Sequence, residues 1–107
     1  MEARNLINHA RGEAQLSLYG RDYRMCLTLG ALAEIEHALG LADLSALGDR
    51  LSRPSARDLV LVLTALLRGG GEAMSIDDVG RLPLDAKVMA QAISQTFAAA
   101  GFSEGVA

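Results

Sequence analysis

LTLGALAEIEHALG, residues 27–40, is where the chain changes period. Apolar residues alternate up to this point (Tyr23, Met25, Leu27) and then recur at Leu29, Leu32, Ile35 and Leu39. A spacing of two therefore gives way to one near 3.6, a strand handing over directly to a helix. Thr28 stands at the junction, where its hydroxyl can accept from a free backbone N–H of the first turn, and Gly40 stands where a left-handed C-terminal residue is favoured.

Upstream, Ala14, Leu16 and Leu18 alternate with Glu13, Gln15 and Ser17, which predicts a half-buried strand over 13–18. Tyr19-Gly20-Arg21-Asp22 reads as a turn and 23–27 as the returning strand. A two-stranded hairpin is marginal in water, so its apolar face needs a cover, and the helix over 28–40 is the nearest one.

Downstream, Asp43 is placed to cap a short helix over 44–51, and Ser55 with Asp58 forms a variant capping box before a helix over 55–68. That helix carries Leu59-Val60-Leu61-Val62-Leu63 and is apolar nearly all round, so it is expected to be the central, most buried one. Gly69-Gly70-Gly71 is read as its terminator and a flexible joint. Ser75 caps a helix over 76–82, and Pro83 opens a last helix over 83–100 with an apolar stripe of Val88, Met89, Ala92, Ile93 and Phe97. The fold class is α+β and mostly helical: an N-terminal hairpin packed on a helical bundle. Residues 1–10 are expected to be a flexible arm, 11–101 a single domain and 102–107 a short tail.

A chain of 107 residues is one domain by size. Half of it is hydrophobic but only Tyr19, Tyr23, Phe97 and Phe102 are aromatic, so the core is aliphatic. The net charge of −3 argues against nucleic acid or an anionic membrane as partner. Cys26 is the one cysteine, which excludes an intrachain disulfide and a thiolate zinc cluster and suits a reducing compartment. The first residues are polar, with no run resembling a signal peptide.

Candidate chemistry is sparse. Glu34 and His37 can share a helical face, but no second cluster completes a ligand set, and a solvated face is the preferred reading. The triple glycine follows a helix instead of preceding one, unlike a phosphate loop. The serines include no Gly-x-Ser-x-Gly elbow, and Cys26 reads as a buried inert thiol. No catalytic, metal or cofactor-binding residue is assigned. Arg50, Arg53 and Arg57 are a candidate electropositive edge for an acidic partner, weighed against a solvated loop.

Four runs occur in a telling order: Arg11-Gly12-Glu13; Leu27-Thr28-Leu29-Gly30-Ala31-Leu32-Ala33-Glu34-Ile35-Glu36; Ser55-Ala56-Arg57-Asp58-Leu59; and Leu67-Arg68-Gly69-Gly70-Gly71. Together they resemble the gene transfer agent tail-assembly chaperone family, small proteins encoded among the tail genes of phage-like particles, over about residues 8 to 100. The resemblance implies a non-enzymatic assembly factor in the bacterial cytoplasm, without cofactors, whose partners are the tape-measure protein and the tail-tube protein. A homo-oligomer is compatible with it. A structural, tube-associated component of the particle is the alternative. The family motifs mark fold positions and carry over no binding residue.

Overall fold

The computed structural model describes residues 12–101, and the expected arm and tail lie outside them. Strands β1 (Glu13–Leu18) and β2 (Arg21–Cys26) form an antiparallel hairpin. Five helices follow among the described residues: α1 (Leu29–Leu39), α2 (Leu47–Ser52) after a 3₁₀ turn (Leu44–Ala46), α3 (Ala56–Gly69), α4 (Ile76–Gly80) and α5 (Ala86–Ala99). The α+β class read from the sequence is the class observed.

The hairpin is tighter than predicted. Pairing continues to Leu18 opposite Arg21, leaving only Tyr19 and Gly20 in the turn, at φ 47° and 83°. Two central residues at positive φ match the right-handed twist of the strands, so pairing begins two residues earlier than the expected 23. Ala14 opposite Met25 and Leu16 opposite Tyr23 form a buried apolar face.

Helix α3 covers that face on the β2 side and α5 on the β1 side, whereas α1, the cover expected from the sequence, packs on α3. Helix α3 also packs against α4 and α5. Val62 through Leu67 have no solvent exposure, which confirms α3 as the central helix. Its buried Thr64 donates its hydroxyl hydrogen to the Val60 carbonyl (2.7 Å), and Thr96 on α5 does the same to Ala92 (2.8 Å). Both hydroxyls enter the core with their hydrogen bonds satisfied locally.

The caps fall where local chemistry puts them. Thr28 Oγ1 accepts from Ala31 N–H, Ser55 and Asp58 form the capping box of α3, and Ser75 and Asp78 form that of α4. At the end of α1, Gly40 N–H donates to His37 O and Leu41 N–H to Glu36 O, a Schellman closure with Gly40 left-handed.

Four expectations about the helices shift. The buried face of α1 is Ala31, Ile35 and Leu39; Leu32 is half-buried and Leu29 is 84% exposed. Helix α4 stops at Gly80. The last helix starts at Ala86 because Asp85 accepts from Val88 N–H (2.8 Å); Pro83 lies in the preceding connection. On α5, Val88 sits at the exposed margin of the stripe, whose buried part includes Thr96.

The three glycines after Arg68 have separate tasks. Gly71, at φ 94°, closes α3 in a second Schellman motif: its N–H donates to Arg68 O and that of Glu72 to Leu67 O. Gly69 and Gly70 let the helix end touch β2. A Cβ on Gly69 would lie 2.2 Å from the Cys26 carbonyl oxygen, and one on Gly70 would lie 2.2 Å from that of Arg24. The same approach explains Ala31, whose Cβ would be 3.2 Å from a Cβ on Gly69. The expected joint is therefore a packed contact. Gly69→Ala or Gly70→Ala should destabilise the domain by about 3 kcal/mol or more, because the obstructing atoms are backbone and must move. Gly80→Ala meets nothing within 4 Å and should be neutral or raise stability by up to about 1 kcal/mol. Thermal or urea melts of the three variants check both.

Candidate docking groove between α3 and α4

Among the described residues no group of three or more His, Cys, Asp or Glu side chains is placed to hold a metal ion. His37 is exposed. Glu34 differs from a purely solvated residue: its carboxylate pairs with Arg68, whose Nε also donates to Met74 O (2.9 Å). The pair fastens α1 to the end of α3 and the loop after it. Cys26 is buried, as expected.

The three candidate arginines have different surroundings. Arg50 turns inward. Its Nε and Nη2 donate to the two carboxylate oxygens of Asp58 (3.0 and 2.9 Å), and Nη1 donates to Leu39 O (2.8 Å). One planar guanidinium thus joins the end of α1, α2 and the start of α3, with the fork geometry that Arg uniquely offers. Arg53 and Arg57 are exposed, and Arg57 borders a concavity.

That concavity lies between the first turns of α3 and the short α4. It has a volume of about 430 Å³ and an apolar floor of Val60, Leu61 and Ile76, with Arg57, Asp77 and Arg81 around it. Val79 is buried and packs α4 into the core, while Ile76 remains 42% exposed. Arg81 reaches Asp78 only loosely, at 3.9 Å, with both side chains largely in solvent. Arg57 has no ion pair among the described residues. Arg81 escaped the sequence reading because only the packing of α4 on α3 brings it beside Arg57.

A second, shallow concavity beside Gly71 has its charged groups already engaged. Arg68 is held by Glu34. Glu72 accepts from Arg24 N–H (2.9 Å) and pairs with Arg21 (3.5 Å), whose guanidinium also lies over the Tyr23 ring at 4.5 Å.

The Arg50 guanidinium, with help from Ser55 N–H, holds the Asp58 carboxyl below the usual carboxylate range, against the opposing effect of burial. A depressed folded-state pKa stabilises the fold above the unfolded-state value, and that stabilisation is lost as pH falls through the folded value. Asp58→Asn should cost about 1–3 kcal/mol at neutral pH, moderated because the Arg50 side chain is 41% exposed. The gap from wild type should stay constant above about pH 5 and narrow below about pH 4. Urea melts across that range check the sign.

A family profile described as "Phage tail tube protein, GTA-gp10" matches residues 11–101. No curated protein and no solved structure matches the chain. The matched span contains the whole hairpin, all five helices, the Gly69-Gly70 contact and the α3–α4 groove. The chain belongs to the phage tail tube protein family of GTA-gp10.

Proposed function

We propose that this protein is a non-enzymatic structural component of the tail of a phage-like gene transfer agent, made in the bacterial cytoplasm and built into the particle. The match of residues 11–101 to a tail-tube family carries this reading. The family description names a tube protein and no chaperone, so it favours the structural alternative over the assembly-chaperone role implied by the sequence motifs. Its partners are then other tail proteins. The tape-measure protein is the client that the chaperone role would require.

The buried polar side chains serve the fold: Asp58, Thr64 and Thr96 all make hydrogen bonds within it. The exposed Tyr19 and Leu29 and the α3–α4 groove remain for contacts with other chains. Such a division suits a building block of an assembly.

Quantitative mass spectrometry of purified particles from a producing strain tests the role. A structural component should be retained at a constant ratio to the other tail proteins through density-gradient purification. Presence in the lysate with loss from purified particles would overturn it and favour the chaperone.

A further inference from the structure

We propose that the α3–α4 groove docks an acidic amphipathic segment of another tail protein, with an apolar side chain on Val60 and Ile76 and carboxylates on Arg57 and Arg81. This names a partner class for the tail component and rests on that reading. Charge decides the chemistry. The chain as a whole is at −3, yet this concavity sets two arginines against Asp77. Arg57 has no carboxylate partner among the described residues, and Arg81 holds Asp78 only at 3.9 Å. Both guanidinium groups therefore stand ready for incoming carboxylates without breaking a strong internal pair, and they can bind them in bidentate fashion.

The floor points the same way. Ile76 is 42% exposed on a helix whose other large aliphatic residue, Val79, is 2% exposed. Val60 is only partly buried although it belongs to the central helix. A concavity of about 430 Å³ with an apolar floor has room for inserted side chains. An apolar anchor ringed by charge-assisted hydrogen bonds is a common form of segment recognition. The capping boxes at Ser55 and Ser75 fix both helix starts, so the groove exists before its ligand arrives.

The test uses the full-length chain, separate from any particle, so its failure is distinguishable from failure of the tail role. A random peptide library displayed on a carrier is panned against the wild type, with the Arg57→Glu/Arg81→Glu chain as counter-target. The enriched sequences are then synthesised and titrated by fluorescence anisotropy. The expected peptides place Asp or Glu within one helical turn of Leu, Ile or Phe. Charge reversal should weaken them at least about tenfold, and added salt should weaken the wild-type complex. Peptides with carboxylates exchanged for lysine should recover binding to the reversed chain. Because both arginines are exposed, circular dichroism should show the reversed chain folded, and Ile76→Ser gives a second variant that should also weaken binding. Enrichment of peptides without acidic residues, no enrichment, or affinities indifferent to the reversal would overturn the proposal. So would loss of self-association on reversal in sedimentation of the chain alone, which would make the occupant a second copy.

Discussion

The approach of two backbones at the end of α3 is the constraint on which the rest of the structure depends. Gly69 and Gly70 bring the last turn of the helix against the carbonyls of Cys26 and Arg24, at a distance that leaves no room for a Cβ. Gly71 then reverses the chain and delivers Glu72 to the outer edge of β2, where its carboxylate accepts the Arg24 N–H and pairs with Arg21. A hairpin that would be marginal alone is thereby held at one edge and covered on one face by the same helix. The glycines act through what they lack.

From that contact the fold extends along α3. Its apolar surface packs against α1, whose buried residues are Ala31, Ile35 and Leu39, and against α5, whose buried apolar residues are Met89, Ala92, Ile93 and Phe97. Its far end is tied by Arg50, which bridges Asp58 and the Leu39 carbonyl. The helix is anchored by close backbone packing at one end and by a charge-assisted fork at the other. The surface left between its first turns and α4 is consequently a preformed edge, and it is there that the unengaged Arg57 lies.

Features set by a few neighbouring residues were legible in the sequence. The caps at Thr28, Ser55 and Ser75, the left-handed Gly40 and the central place of α3 all follow from local chemistry. What distant packing decides was not. The period of α1 admitted Leu29 to its apolar stripe; only the proximity of Gly69 shows that Ala31 marks the buried side. The turn length hung on Tyr19 accepting positive φ, which propensity disfavours. Pro83 was a plausible helix opener until Asp85 proved to supply the cap. At the site, Arg57 was visible as a cation but its neighbour Arg81 was not. Arg50 reads from the sequence as a surface charge because the capping spacing accounts for Asp58 by itself; only the fold brings the two together.

Hydrogen exchange at the Arg24 amide tests the dependence of hairpin on helix most directly. This N–H lies on the outer edge of β2, donating to Glu72 and not to β1. If the helix end and the hairpin form one cooperative unit, it exchanges only by the global opening that also releases the amides of Leu63 to Leu67, with the same dependence on denaturant. Rapid exchange at Arg24, while those amides of α3 stay protected, would show the hairpin opening by itself and contradict that dependence.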